Sequence, residues 1–309
     1  MRILSVVLPV MNEEENIPLI HAEIEKYVLK CGYIPEIIFV CDPSSDNTKD
    51  VVEKLALEFE TVRGIYLADR AGQTEAIRAG YESACGSAVI SMDADFQDPP
   101  QLIPEIINAW ENGALIVHTK RGNRKTDKLV YRLVTLLGYR TLGWLTNGRV
   151  QSNVGDFRLI DASVLPLILK FQDPYPFWRG ITSLSGIPSQ IISYVRPVRH
   201  FGSTKYSNKI GSPSIAARGL ATFSNKPLEF LQSLGIVSVF FSIFAIVSII
   251  ALQIFFPGFP RGIPTIIVLI SVFFSIQFFS TAIIATYLIV LIEQTRRRPN
   301  YFTLGESGK

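Results

Sequence analysis

Two carboxylates stand one residue apart, Asp93 and Asp95, where the apolar run 88–92 ends and the chain continues Asp-Ala-Asp-Phe-Gln-Asp-Pro-Pro over 93–100. A strand that stops on Asp-x-Asp turns both carboxylates toward one spot beyond the sheet edge. Hard oxygen ligands at that spot can hold Mg²⁺ or Mn²⁺ against a diphosphate, so the spacing suggests a nucleotide-sugar site. Asp-x-Asp is also common as a solvated turn, and its chemical reading depends on what the rest of the chain places beside it.

The positioning elements follow from periodicity. Short β-branched runs at 3–8, 37–40, 62–67 and 88–92 alternate with helical patterns at 17–29, 48–59 and 74–84. Continuous apolar strands separated by helices predict an α/β fold of β-α-β units, with a mostly parallel sheet covered on both faces. Ligands of such sheets bind beyond the carboxyl ends of the strands. The polar strings at 9–14, 42–46 and 93–95 all fall at that end, so three separate strand ends converge on one edge. A further strand is expected at 115–119. Beyond it a basic loop, 120–127, leads to a segment at 129–145 with Leu, Val, Tyr and Trp at helical spacing and Arg132 and Arg140 between them. That pattern fits a helix lying on a membrane surface and fits an ordinary core helix equally; residues 214–223 could do the same.

The 309 residues leave room for two domains, and the 48% hydrophobic content is concentrated near the C-terminus. No charged side chain occurs between Glu229 and Arg261, or between Arg261 and Glu293. Each gap exceeds the roughly 20 residues a helix needs to cross a bilayer core, which predicts transmembrane helices at 234–256 and 263–292 joined by a tight turn rich in Pro and Gly. Arg218 and Lys226 before the pair and Arg296, Arg297 and Arg298 after it, against Arg261 alone in the turn, place both termini in the cytoplasm. No signal-peptide pattern precedes the first strand, so the hairpin is the expected targeting element. Cys31, Cys41 and Cys85 lack metal-ligand spacing and fit a reducing compartment. A net charge of +3 gives no argument for nucleic acid, and the basic residues cluster beside the hairpin, where anionic headgroups are the simpler partner. Ser238, Ser242, Ser248, Ser275 and Ser280 could support packing between chains, which hints at a homo-oligomer.

Taken jointly, the motifs resemble the polyprenyl-phosphate glycosyltransferases of glycosyltransferase family 2, similar to dolichyl-phosphate mannose synthases and bactoprenol glucosyltransferases. The matching strings are Pro-x-x-Asn-Glu-Glu-x-Asn from Pro9, Asp-x-Ser-x-Asp-x-Thr from Asp42, Ala-Ile-Arg-Ala-Gly from Ala76, Met-Asp-Ala-Asp-x-Gln-Asp-Pro-Pro from Met92, Asp-Phe-Arg-Leu from Asp156, Phe-x-Arg-Gly from Phe177 and Arg-x-x-Gly-Ser-x-Lys-Tyr from Arg199. They cover most of the first 206 residues, and the two-helix tail suits the bactoprenol branch. The resemblance implies a GT-A fold, a nucleotide-sugar donor, a divalent metal (Mg²⁺ or Mn²⁺) and an inverting transfer to a lipid phosphate at the cytoplasmic face. By that resemblance Pro9, Glu13 and Asp42 line the nucleotide pocket, Asp93 faces the donor, and Asp93, Asp95 and Gln97 hold the metal. Cys41, Pro43 and Met11 depart from residues common in the family, which bears on which nucleotide is read. The implied domains are a cytoplasmic transferase domain at 1–206, a juxtamembrane amphipathic segment at 207–228, two transmembrane helices within 229–293 and a cytoplasmic tail at 294–309.

The chemistry asks for more groups. Breaking the bond from sugar C1 to the diphosphate builds negative charge on the leaving group, which cationic side chains stabilise; Arg199 and Lys205 are the candidates. The acceptor phosphate is already an anion and needs aiming, for which Arg121, Arg124 and Arg132 are available. Asp156 is the family's usual catalytic candidate, with a base or acceptor-orienting duty, or alternatively a structural pairing with Arg158. The string from Phe177 reads as an acceptor-side wall or a packed loop. The donor expected is UDP-glucose and the acceptor undecaprenyl or a similar polyprenyl phosphate; GDP-mannose or a UDP-amino-pentose is the alternative donor. A non-catalytic partner of a lipid flippase is the alternative of another class, and its mark would be loss of the metal ligands or of Asp156, all of which are present.

Overall fold

The computed structural model describes residues 2–122, 154–171, 178, 182, 187–195, 197, 226–255, 262–295 and 301–308. Arg124, Arg132, Arg199 and Lys205 lie outside these residues, as do the expected surface helix at 129–145, most of the juxtamembrane segment, and the side chains of Ser238, Ser242 and Ser275. The chain divides into two compact units, one of residues 1–210 with 297–309 and the other of residues 211–296.

The first unit is built as the alternation predicts. Strand β1 (Ile3–Val10) is followed by α1 (Ile17–Lys30), β2 (Ile34–Cys41), α2 (Thr48–Glu58), β3 (Val62–Leu67), α3 (Gln73–Ser83) and β4 (Ala88–Ser91). Then come α4 (Ile103–Glu111), β5 (Ile116–Arg121), β6 (Val154–Asp161), α5 (Leu165–Leu169), β7 (Ser189–Tyr194) and, at the C-terminal end, β8 (Thr303–Ser307). The strands form one sheet in the order β7-β5-β6-β4-β1-β2-β3-β8. β1 pairs in parallel with β2 and β4, β2 with β3, and β5 with β7, whereas β6 runs against β4 and β5, and β8 against β3.

Both faces of β1 to β4 are covered, which is why these strands read as unbroken apolar runs. Leu4, Val6, Leu8 and Val10 of β1 enter a core shared with Ile17, Ile20, Ile24 and Val28 of α1 and Ile103, Ile106 and Ile107 of α4. Their spacing of three and four is the buried stripe of an amphipathic helix, and Pro18 and Pro104 open α1 and α4 where a missing N–H costs nothing. The opposite face of β1 meets α3 so closely that a Cβ on Gly80 would lie 2.2 Å from Val7 Cγ1. Full burial of each such aliphatic side chain is worth about 1.5–3 kcal/mol, and that burial is what fixes the strand ends and their loops in place.

Periodicity does not show β6, β7 or β8. β6 lies between β4 and β5, and β8 turns the expected tail into an edge strand. The second unit contains α6 (Lys226–Phe255) and α7 (Ile263–Thr295), of 30 and 33 residues, about 45 and 50 Å long at 1.5 Å per residue. Within α7, Val272–Ile289 is long and apolar enough to cross a bilayer, and Leu228–Val237 of α6 is a shorter apolar stretch. In α7 two hydroxyls turn inward on the helix: Thr281 Oγ1 donates to Gln277 O at 2.9 Å and Thr286 Oγ1 to Ala282 O at 3.0 Å. Polar groups satisfied inside their own helix are the form tolerated in hydrocarbon.

Candidate active site

The carboxyl ends of β1, β2 and β4 carry the three polar strings, and hydrogen bonds lock the first two together. Asn12, with a left-handed φ of 52°, donates its N–H to Ser44 Oγ at 3.0 Å and accepts the Ser45 N–H at 2.7 Å. Glu13 N–H donates to Thr48 Oγ1 at 2.8 Å, and its carboxylate takes Asn16 Nδ2 at 2.6 Å. Glu14 accepts the amide and side-chain N–H groups of Asn47 at 3.0 and 2.9 Å. Pro9 lies within β1 opposite Val40. Glu13 and Asp42 are buried.

Asp42 follows β2, and both of its oxygens accept backbone amides from the loop before α3: Ala71 N–H to Oδ1 and Gly72 N–H to Oδ2, each at 3.1 Å. Burial pushes its carboxyl up, while these two amides and Arg70 pull against that shift. Gly72 sits at φ 84°, a conformation other residues resist, and delivers the chain into α3. The first residue of that helix, Gln73, donates Nε2 to Asp93 Oδ1 at 2.6 Å. The β3–α3 loop thus connects the nucleotide-side carboxylate to the first Asp of the Asp-x-Asp pair.

Asp93, Asp95 and Asp98 gather at the end of β4. The turn that folds them together needs Phe96 at φ 62°, and Asp95 Oδ1 caps the Gln97 N–H at 2.9 Å. Asp98 is fully buried: it accepts the Asp93 N–H at 3.2 Å, Tyr194 Oη at 2.6 Å and Arg121 Nη2 at 3.5 Å. Arg121 also approaches Asp93 Oδ2 at 3.9 Å. Burial first, and then the neighbouring carboxylates Asp98, Asp95 and Asp156, hold the Asp93 carboxyl well above the usual range, with Arg121 opposing them. Arg121 is therefore tied to the acid cluster.

Asp156 comes to the same place through the sheet. β4 and β6 pair Ser91 with Arg158 in antiparallel register; Asp93 follows Ser91 by two residues, just past β4, and Asp156 precedes Arg158 by two, near enough for its charge to act on Asp93. Ser91 Oγ donates to the Asp156 carbonyl at 2.6 Å and receives Tyr81 Oη at 2.8 Å. The Asp156 carboxylate accepts Arg158 Nη2 at 2.6 Å, and that buried guanidinium also reaches Gly155 O and Thr182 Oγ1. Asp156 thus has the structural arginine partner weighed from sequence and also stands among the clustered carboxylates. Of the string from Phe177 only Trp178 is among the described residues; it is buried, its Nε1 donates to Thr74 O at 3.0 Å and its ring packs with that of Tyr81.

An all-oxygen set of carboxylates is the donor chemistry that Mg²⁺ or Mn²⁺ takes, and here the guanidiniums of Arg121 and Arg158 stand beside it. Among the described residues no three His, Cys, Asp or Glu side chains already form a ligating group. Mg²⁺ is characteristically held by one or two carboxylates and completed by substrate phosphate oxygens. Asp93 and Asp95 fit that role; of Gln97 the site uses the backbone amide on Asp95. Gln73, Asp98 and Tyr194 are not among the site residues expected from sequence. Asp98 lies inside the motif string, whereas Gln73 and Tyr194 carry no local signal, since their role exists only across strand and loop contacts.

The family model for glycosyl transferase family 2 matches residues 5–167. A prophage bactoprenol glucosyl transferase homolog of Escherichia coli is 32% identical over 96% of this chain and 97% of its own length. The bactoprenol glucosyl transferase of Shigella phage SfV is 30% identical over 99% of both chains. Among solved structures, a glucosyl-3-phosphoglycerate synthase of Mycobacterium tuberculosis, in complex with Mn²⁺, UDP and phosphoglyceric acid, overlaps 65% of this chain and 72% of its own at 20% identity and a TM-score of 0.45. The chain belongs to glycosyltransferase family 2, as a GT-A domain whose mostly parallel sheet carries the site, and within that family to the polyprenyl-phosphate glycosyltransferases.

Proposed function

We propose that this protein transfers a single hexose, glucose from UDP-glucose, to the phosphate of undecaprenyl or a similar polyprenyl phosphate at the cytoplasmic membrane face, with inversion at C1. The observation that carries the reading is the meeting of Asp93, Asp95 and Asp156 beside the Asp42 loop, in a chain matched along nearly its whole length by bactoprenol glucosyl transferases. Asp93 and Asp95 would hold the divalent cation, which supplies charge stabilisation to the departing diphosphate. Asp42 and the Ala71–Gly72 turn border the nucleotide, and Glu13 fixes the adjoining loop. Arg121, held by Asp98 and Tyr194, offers a guanidinium to phosphate oxygens at the reacting centre. Asp156 orients the acceptor, whose phosphate is the nucleophile and needs no strong base. Arg124, Arg132, Arg199 and Lys205 complete the phosphate-binding set in this reading.

The membrane reading rests on the same relatives, on Val272–Ile289 and on chain connectivity. Both ends of the α6–α7 segment connect to the first unit, because β8 returns to its sheet, and a chain that leaves and rejoins one domain crosses a bilayer an even number of times.

The test is transfer of radiolabelled sugar by purified protein to polyprenyl phosphate. UDP-glucose, GDP-mannose and a UDP-amino-pentose would be compared, with and without Mg²⁺ or Mn²⁺, beside Asp95→Ala. Metal-dependent lipid-linked glucose of inverted configuration, absent in the variant, is expected. A different winning donor would replace the sugar only, and no transfer from any donor by folded protein would turn the reading toward a non-catalytic partner.

A further inference from the structure

The segment that follows the second unit comes back to the sheet and touches three parts of the first. β8 pairs with β3, Gly64 to Ser307, Ile65 to Glu306, Tyr66 to Gly305 and Leu67 to Thr303. Beyond the strand, Phe302 O accepts the Ala68 N–H at 2.8 Å, and the Tyr301 hydroxyl donates to Glu82 of α3. Two glycines make the approach possible: a Cβ on Gly64 would lie 2.6 Å from Ser307 Oγ, and one on Gly308, at φ 82°, 2.3 Å from Val62 O. Core burial is not what this strand contributes, since Phe302 and Leu304 stand 66% and 75% exposed.

We propose that β8 is a positioning element for the donor site, holding the β3–α3 loop and α3 so that Ala71 and Gly72 meet Asp42 and Gln73 meets Asp93. The path is short. Ala68, bonded to Phe302, lies three residues before Ala71, and the loop ends at Gln73 on the helix that Tyr301 grips further along. Covering the sheet edge alone would need only the β3 pairing; the contacts of Tyr301 and Phe302 extend past that edge to the loop and helix that carry the site. This inference rests on the donor reading above only in what it says about affinity.

The experiment compares full-length wild type with Thr303→Pro and Tyr301→Phe at the loop end, Glu306→Ala at the far end, and a chain stopped after Asn300. UDP affinity by calorimetry with Mg²⁺ or Mn²⁺, KM and kcat for UDP-glucose, thermal midpoint, and amide hydrogen exchange at Ala71 and Gly72 would be read for each. A lost hydrogen bond of about 1 kcal/mol corresponds to about fivefold in affinity. Tyr301→Phe should therefore raise KM and weaken UDP binding about fivefold, with kcat held and the midpoint little changed. Thr303→Pro and the shortened chain should do so at least as strongly, with faster exchange at Ala71 and Gly72, and a peptide of residues 301–309 should restore the shortened chain. Glu306→Ala, which loses an ion pair with Arg63 at 3.4 Å, should lower the midpoint only. Loop-end variants that keep wild-type UDP affinity and exchange, or that change no more than Glu306→Ala, would overturn the proposal. Wild-type protein that binds no UDP would sink the donor reading, and exchange at the two amides would still decide whether β8 holds the loop.

Discussion

Asp98 is the residue on which the acid cluster turns, because it alone touches the Asp93 amide, Tyr194 and Arg121 from a fully buried position. Removing one partner of a buried ionic network costs about 3–5 kcal/mol, so Asp98→Ala should lose that much in chemical denaturation and most of its transfer activity as Arg121 swings from the site. Tyr194→Phe deletes two hydrogen bonds, the donation to Asp98 and the acceptance from Arg121 Nε at 3.4 Å, and should cost about 2–3 kcal/mol, with most activity kept. Asp156→Asn, which can still accept from Arg158, separates its two duties: a kcat loss of about a hundredfold with donor affinity retained marks acceptor orientation, and unchanged kcat leaves only the pairing. His118 gives a pH signature. Burial, and next the Arg158 charge, lower its pKa to about 4. The unfolded chain, titrating near 6.5, then binds the extra proton between these values, so stability is full above pH 6.5 and falls as pH drops toward 4. The span corresponds to about 3 kcal/mol, and His118→Asn should flatten that stretch of the stability profile measured by denaturant titration.

At the scale of elements, α3 matters most, since it carries Gln73 to Asp93 at its first turn and rests on β1 through Gly80. A methyl group at Gly80 would overlap Val7, and overpacking of this kind costs about 1–3 kcal/mol. Gly80→Ala should therefore lower stability by that amount and weaken donor binding by tilting the helix. Adding Val7→Ala should recover part of both, a double-mutant cycle that ties the loss to this one contact. The strands flanking the site divide the labour. β4 ends in the acid cluster, and antiparallel β6 returns beside it so that the Asp156 charge acts on Asp93. β5 and β7 bring Arg121 and Tyr194 to the same end in parallel.

For the whole molecule, the rejoining of β8 to the sheet makes a definite topological prediction. A cysteine placed at Gly258, in the sequence between the two long helices, should react with a membrane-impermeant maleimide added outside intact cells. Native Cys85, exposed on the first unit, should react only after the membrane is opened. Labelling of both from the same side would remove the membrane hairpin. The apolar and outward-facing side chains of Val272–Ile289, among them Phe274, Phe278, Phe279 and Ile284, also predict that the purified chain stays dispersed only in detergent or lipid.

The amino-acid sequence by itself determined the β-α alternation, the sheet edge on which Glu13, Asp42 and Asp93 would meet, and the two charge-free stretches, because each is a local pattern of apolar period or strand end. It also determined the family, because the motif strings are contiguous. Only the tertiary structure decided that Asp156 comes near Asp93, that Asp98 and Tyr194 hold Arg121, and that Gln73 is the bridge from the nucleotide side. Those facts are register and side-chain contacts between segments 20 to 96 residues apart, invisible to any local pattern. The returning strand is the clearest case. Thr-Leu-Gly-Glu-Ser has no buried alternation, because an edge strand lying against β3 needs backbone hydrogen bonds and two close-approach glycines rather than an apolar face.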